Sequence, residues 1–197
     1  MHHSHTSCES GTCDQMDQIN QPRRRVIQIA AAGLVGQLGW LPATSLAAVL
    51  GAHLVEDDTE GEAKPLRVSD LRTGKPVLAY PFDTAKKVAL NESRLNKIVL
   101  IRLPEAEMSA ETRALSAGGV LAYSAVCTHQ GCDVKTWLPK EKALVCYCHA
   151  SKFALLDKGN VVAGPATRAL PAIPLALDGD HLVIAGAFTA TPGASSA

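Results

Sequence analysis

Two short segments concentrate cysteine and histidine at spacings that suit metal binding. The first reads Cys-Thr-His-Gln-Gly-Cys over residues 127–132, and the second reads Cys-Tyr-Cys-His-Ala-Ser over residues 146–151. Each segment, here called a box, offers a thiolate and an imidazole. Two facing loops of this kind could hold an iron–sulfur centre or a tetrahedral zinc ion. A cysteine–histidine nucleophile pair is a weaker interpretation, because it does not require two matched boxes.

Each box follows a predicted β-strand. Short apolar runs separated by frequent Gly (15) and Pro (11) predict many strands and turns. The predicted strands cover 66–71, 77–80, 98–103, 120–126, 153–156 and 161–163, and a hairpin joins 173–177 to 181–185 around Asp178-Gly179-Asp180. Residues 83–96 and 105–116 are predicted to be helical. The resulting fold class is an antiparallel all-β domain with a helical insertion.

Composition narrows the functional classes. Apolar residues make up 47% of the 197 residues, which is enough for a packed core. Lys plus Arg (19) balances Asp plus Glu (19), so the net charge gives no case for a nucleic-acid partner. Aromatic residues make up only 4%, which argues against an aromatic-lined base or sugar platform.

The N-terminal region has the features of an export signal. Arg23, Arg24 and Arg25 precede an uncharged run over 26–52, which ends in a string of small residues at 43–48. Consecutive arginines before a mildly apolar run resemble a twin-arginine signal. The alternatives are a retained membrane anchor, since about 20 apolar residues span a bilayer, and a core helix of a cytosolic protein. The first two predict a domain in the periplasm or on the periplasmic side of the cytoplasmic membrane.

Five segments are predicted along the chain. They are a disordered extension (1–22), the signal or anchor (23–52), an acidic linker (53–65), the folded domain (66–189) and a polar tail (190–197). The extension contains His2, His3, His5, Cys8 and Cys13. These residues fit an unstructured extension or an expression tag better than a metal-binding tail.

The two boxes resemble those of the Rieske iron–sulfur proteins. That family has the pattern Cys-Thr-His-x-Gly-Cys followed by Cys-Pro-Cys-His-x-Ser, and Gly-Pro-Ala at 164–166 resembles its proline loop. The likeness is close over the second half of the chain and looser over 53–119. It implies a Rieske-type β-sandwich or barrel with two cluster-binding loops and one [2Fe–2S] cluster.

By position, the resemblance implies a ligand set. Cys127 and Cys146 would bind one iron, and His129 and His149 would bind the other. Neutral imidazoles supply less negative charge than thiolates, so the reduction potential would lie at roughly −150 to +300 mV. A structural zinc site remains the alternative, although it would leave the second cysteine of each box without a role.

The resemblance also implies roles around the ligands. Cys132 and Cys148 would form a disulfide between the loops. Ser151 matches a serine whose hydroxyl donates to a bridging sulfide. Gly164 and Pro165 would form the loop over the cluster.

Four positions depart from quinol-oxidising members of the family. Phe153 stands where those members have a tyrosine that donates to a cysteine sulfur, which predicts a lower potential. Tyr147 replaces a proline, Ala150 a glycine and Gln130 a shielding leucine. Together they weaken the prediction of quinone docking but leave the ligand set intact.

The resemblance implies an electron carrier without catalytic residues of its own, serving an oxidoreductase. The chain contains no dinucleotide, P-loop or haem-attachment motif. The favoured interpretation is the small subunit of an exported molybdenum enzyme similar to arsenite oxidase, which passes electrons from a catalytic large subunit to a cytochrome or copper protein. The alternative is the Rieske subunit of a cytochrome bc-type complex, with residues 26–52 as a membrane tether. A cytoplasmic ferredoxin fits less well, and a zinc-stabilised binding module is the non-redox alternative.

Overall fold

The computed structural model describes residues 50–57 and 63–194. The predicted extension (1–22) and nearly all of the predicted signal or anchor (23–52) lie outside these residues. Within the described part of the chain, no helix is long and apolar enough to cross a membrane.

The larger of two antiparallel sheets in the described residues forms the base of the domain and is called the base sheet. Its strands are β1 (His53–Glu56), β2 (Val77–Asp83), β3 (Val88–Ala89), β4 (Ile98–Arg102), β5 (Val120–Ser124), β10 (Leu175–Asp178) and β11 (His181–Ile184). Their order is β10-β11-β1-β2-β4-β5, and β3 pairs with β2. Strands β4 and β5 pair from Ile98 opposite Ser124 to Arg102 opposite Val120. Their nearly unbroken burial explains the continuous apolar runs of the sequence.

The smaller sheet carries the second box and is called the cluster sheet. Its strands run in the order β6 (Thr136–Leu138), β7 (Ala143–Cys146), β8 (Ser151–Ala154) and β9 (Asn160–Ala163). Strand β7 is fully buried, whereas the outer strand β9 is mostly exposed. The predicted antiparallel all-β class is therefore confirmed.

The predicted helix over 83–96 is wrong. Asp83 instead closes a tight turn, because its carboxylate accepts hydrogen bonds from the backbone N–H groups of Ala85 and Lys86, both at 3.0 Å. These bonds hold the pKa of Asp83 below its usual value. The chain then returns along β2 as strand β3, and only Arg94–Asn96 forms a 3₁₀ turn.

The predicted helix over 105–116 is much shorter in the structure. A 3₁₀ turn at Glu105–Glu107 precedes the single-turn helix α1 (Ala110–Arg113). The Ser109 hydroxyl accepts the Thr112 N–H at 3.2 Å and so caps α1. The helical insertion thus consists of short turns.

Of the other local predictions, one is confirmed and one is wrong. The hairpin around Gly179 is confirmed, with Asp178 opposite His181. The strand predicted over 66–71 is wrong, because Val68–Asp70 forms a 3₁₀ turn. Strand β1 lies within the segment predicted as an acidic linker (53–65), and it pairs with β2 and β11.

Two clusters of buried apolar side chains support the sheets. One lies within the base sheet and includes Leu54, Ile98, Leu100 and Leu182. The other joins the two sheets, since it contains Val99 and Tyr123 together with residues of the cluster sheet. Both box cysteines that the resemblance assigns as ligands belong to this second cluster, so the cluster-binding loops rise directly from packed core.

Candidate metal centre

The first box forms a closed loop after strand β5. The Cys127 N–H donates to the Cys132 carbonyl at 2.8 Å, and the Gly131 N–H donates to the Cys127 carbonyl at 2.9 Å. This return needs a residue with positive φ, and Gly131 supplies it at φ 77°. Arg94 braces the loop from outside through an ion pair with Asp133 at 2.7 Å.

The second box is the connection between β7 and β8. Cys146 ends β7 and Ser151 begins β8, and the two residues pair across the hairpin. The intervening residues 147–150 are exposed. Because β7 is buried and the connection is not, the second box runs from the core to the surface within a few residues.

The four residues predicted as ligands form two pairs, each with one member from each box. Cys127 and Cys146 are each only 1% exposed, and their thiols interact with each other. The rings of His129 and His149 lie nearly perpendicular, with centroids 4.7 Å apart. His129 is half-buried and His149 is exposed. The arrangement thus places two thiols inside and two imidazoles toward solvent.

One imidazole nitrogen among these side chains has no hydrogen-bond partner in the described residues. The Nδ1 atom of His129 is buried and has no hydrogen-bond partner among the described residues, which is costly unless another group binds it. Burial raises the pKa of the Cys127 thiol, although backbone N–H groups of His129 and Gln130 donate toward it and lower it. Bound iron would replace the thiol proton. The donor set therefore fits a cluster with sulfur and nitrogen ligands.

Cys132 and Cys148 form a disulfide that joins the two boxes, with Cα atoms 6.5 Å apart. The Cys146 sulfur lies within 4.8 Å of both disulfide sulfurs. Those two sulfurs are bonded to each other, so they are not available as thiolate ligands. Among the residues that the structure describes, the free thiols are the buried Cys127 and Cys146.

A third loop packs against the second box. A Cβ atom at Gly164, where φ is 83°, would lie 2.5 Å from the Ser151 Cα and 2.6 Å from the Ala150 carbonyl oxygen. Only glycine fits this close approach. The Ala166 N–H donates to the Ser151 hydroxyl at 3.1 Å. Since that hydroxyl accepts from Ala166, its own proton remains available for donation to another acceptor.

Two residues for which the sequence predicted no role hold the first box to this third loop. The Thr128 hydroxyl donates to the Arg168 carbonyl at 2.8 Å. Thr128 belongs to the box pattern itself, so its position could have suggested a role. Nothing in the local sequence marks Arg168, because the contact joins residues 40 positions apart.

Comparison with known families identifies the family to which the chain belongs. The family model described as the Rieske [2Fe-2S] domain matches residues 65–174. The chain belongs to the Rieske [2Fe–2S] family. It carries one [2Fe–2S] cluster, as the resemblance implied. The match begins close to the predicted domain start at 66 and ends before the final hairpin.

Named Rieske relatives refine the comparison. The cytochrome bc1 complex Rieske iron-sulfur subunit of Streptomyces lividans is 34% identical over 158 residues, covering 77% of this chain and 91% of the relative. Its counterpart from Streptomyces coelicolor is 32% identical over 170 residues, covering 83% of this chain but 47% of that protein. A protein of Haloferax mediterranei, named as the Rieske subunit of a respiratory nitrate reductase, is 42% identical over 76 residues, covering 38% and 34%. These relatives support the Rieske resemblance but not the finer likeness to arsenite oxidase.

The positions that depart from the Rieske pattern have distinct environments. Phe153 is fully buried, whereas Tyr147 is 71% exposed. Gln130 is also exposed. Ala150 adopts φ 59°, a conformation in which the usual glycine would be unstrained. Phe153 therefore acts from the core side of the boxes, and Tyr147 and Gln130 act at the surface.

Proposed function

We propose that this protein is the Rieske subunit of a cytochrome bc-type quinol-oxidising complex. Cys127 and Cys146 bind one iron of its cluster, and His129 and His149 bind the other. When bound, the [2Fe–2S] cluster supplies a centre that accepts and releases one electron. The chain's own residues hold that centre and determine which side of it a partner can approach.

The ligand assignment is supported by the contrast in burial. Two free, buried thiols are anchored in the core, and two imidazoles lie nearer to solvent. The unpartnered Nδ1 of His129 adds a nitrogen donor directed to no protein group among the described residues. A partner would thus approach from the imidazole side, where His149 is exposed, and the protein core would screen the thiolate side.

The observation that carries the assignment to a bc-type complex is the likeness to the Streptomyces lividans subunit. That likeness extends over nearly the whole relative, rather than over the boxes alone. A shared cluster motif would match only a short segment. Similarity across the base sheet as well favours a common setting, because the base of the domain contributes no ligands.

A second candidate is an electron-relay subunit of a different exported oxidoreductase, as in the arsenite-oxidase-like interpretation. The exposed surface of the two boxes favours it, since Gln130 in the first box and Tyr147 in the second replace apolar residues common in quinol-oxidising members. The Haloferax relative is also named as a subunit of another kind of respiratory enzyme. In this role the partners are a catalytic large subunit and a cytochrome or copper protein.

The proposal extends to the location of the domain. A twin-arginine signal at residues 23–52 would export the folded domain to the periplasmic side. A bc-type complex requires the uncharged run over 26–52 to be retained as a tether. Extraction of membranes with alkaline carbonate, followed by N-terminal sequencing, tests this: a retained tether leaves the protein in the membrane with residues 26–52 present.

Purification of the tagged full chain from membranes of its native host tests the function. We expect it to copurify with b-type and c-type haem and to be reduced by added quinol. A His149→Ala complex should keep its haem and lose quinol oxidation. Copurification with a pterin-containing large subunit and without b-type haem would contradict the bc-type assignment and favour the second candidate. Zinc without acid-labile sulfide would contradict both.

A further inference from the structure

The end of the described chain contacts the third loop and the residue that precedes the first box. Residues 189–194 are here called the C-terminal strap. At its start, the Thr189 N–H donates to the Ala172 carbonyl at 2.8 Å, and the Ala172 N–H donates to the Thr189 hydroxyl at 3.0 Å. Further along, Gly193 is buried. A Cβ atom at Gly193 would lie 3.1 Å from Leu95 and 3.6 Å from Val126, the residue before Cys127.

Arg168 fastens the strap to the third loop. Its guanidinium donates through Nη1 to the Thr191 carbonyl at 2.8 Å and through Nη2 to the Gly193 carbonyl. A planar guanidinium can hold two carbonyl oxygens in fixed positions, which a flexible ammonium does not match. The strap and the third loop are therefore joined by two charge-assisted hydrogen bonds.

The same loop contacts both boxes. The Arg168 carbonyl accepts the Thr128 hydroxyl of the first box, and the Ala166 N–H donates to the Ser151 hydroxyl of the second. The guanidinium thus holds the strap, while the backbone of the same residue holds a cluster loop. A displacement of Arg168 would move the acceptor of Thr128 and the donor to Ser151 together.

We propose that Arg168 is a positioning residue and that the C-terminal strap sets the reduction potential of the cluster through it. The inference rests on the proposed role of Ser151 as a hydrogen-bond donor to the cluster. By accepting from Ala166, the Ser151 hydroxyl is held in one orientation. Loss of the strap frees that hydroxyl to rotate. Because hydrogen bonds to cluster sulfurs raise the potential, the potential then falls.

The test compares Arg168→Ala with Arg113→Ala in the full chain. Arg113 is a matched control, since its guanidinium also donates to two backbone carbonyls, those of Glu105 and Met108, both at 3.2 Å. In Arg168→Ala we expect a lower potential by voltammetry, and roughly tenfold faster hydrogen exchange at the Ala166 amide because charge-assisted bonds are lost. Arg168→Lys should restore part of both, and Arg113→Ala should change neither.

A second pair of variants tests the strap if Arg168→Ala does not fold. Gly193→Ala adds a methyl group against Leu95 and Val126, whereas Gly179→Ala, at φ 62° in the final hairpin, meets nothing within 4 Å. Alanine is strained by the positive φ at both positions. The difference between the two variants therefore measures how tightly the strap packs against Leu95 and Val126. We expect faster Ala166 exchange and a lower potential only in Gly193→Ala.

Equal exchange and equal potential within the tested pair would overturn the inference. Amide exchange does not depend on a redox partner. The two proposals can therefore be tested separately. The role of the strap is tested by amide exchange, and the assignment to a bc-type complex is tested by copurified haem and quinol oxidation.

Discussion

The base sheet and the cluster sheet reach stability by different means. In the base sheet, β4 and β5 are almost wholly buried and pair along their full length. In the cluster sheet only β7 is fully buried, and the disulfide between the two boxes adds a covalent link. Apolar burial scales with area, so the sheet that holds the cluster near the surface depends on specific contacts.

Substitutions in the two regions should therefore affect different properties of the protein. A change in the base sheet alters the free energy of unfolding and leaves the cluster's spectrum unchanged. A change in the boxes alters cluster binding or potential even where the remainder of the fold persists. Matched pairs of variants, one member in each region, can therefore test this difference between the two sheets.

The largest effect is expected for a proposed ligand. His149→Ala removes one of the two imidazoles, so the characteristic Rieske signal in electron paramagnetic resonance should be abolished and not merely shifted. His181→Ala is the control in the base sheet. It loses a hydrogen bond from Arg67, 3.2 Å in the parent, yet should keep the full signal. A Rieske signal in His149→Ala would contradict the ligand assignment.

The disulfide should give the next largest effect. Cys132→Ser unlinks the two boxes, and loss of a native disulfide from a small domain costs about 2–5 kcal/mol. We expect the cluster to be lost at a lower temperature, as measured by visible absorbance during heating.

Reduction of the parent protein by a strong thiol reductant is the control for Cys132→Ser and should reproduce the same loss. Equal cluster retention by the variant and the oxidised parent would show that the cross-link does not stabilise the site.

Structure follows from the sequence where one local pattern decides it. The continuous apolar run at 98–103 indicated β4, and Asp178-Gly179-Asp180 indicated the hairpin between β10 and β11, because each signal lies within a few residues. The paired boxes indicated the cofactor for the same reason.

The predictions are wrong where the deciding contact lies outside the local pattern. The segment 83–96 has helix-compatible composition, but Asp83 caps a turn and β3 pairs back onto β2. The tail predicted as merely polar is held by Arg168 as far as Gly193. Neither contact has a local signal, since each depends on the position of another segment.

A smaller effect is expected from a methyl group added to the third loop. Gly164→Ala would bring Cβ within 2.6 Å of Ser151 and Ala150 backbone atoms. Positive φ and overpacking together cost about 2–5 kcal/mol. Gly179→Ala, with open space around its Cβ, should cost about 1 kcal/mol. Thermal unfolding measures both. If the two variants unfold alike, the third loop is not packed as tightly as the structure indicates.

The smallest effect, a change in potential without loss of the cluster, is expected from Phe153→Tyr. Phe153 is fully buried in the apolar cluster that contains Cys127 and Cys146. A hydroxyl introduced there needs an acceptor, because a buried unsatisfied group costs about 1–3 kcal/mol. A cysteine sulfur of the cluster would serve, and a hydrogen bond to that sulfur stabilises the extra negative charge of the reduced state.

We therefore expect voltammetry to show a higher potential for Phe153→Tyr than for the parent. Phe82→Tyr is the control, because Phe82 is buried in β2 of the base sheet and is 8% exposed. It adds the same hydroxyl away from the boxes, so the potential should not change. If Phe153→Tyr lowers the unfolding temperature and leaves the potential unchanged, the hydroxyl does not donate a hydrogen bond to a cysteine sulfur. Phe153 would then be a packing residue, and the low potential predicted for this protein would need another cause.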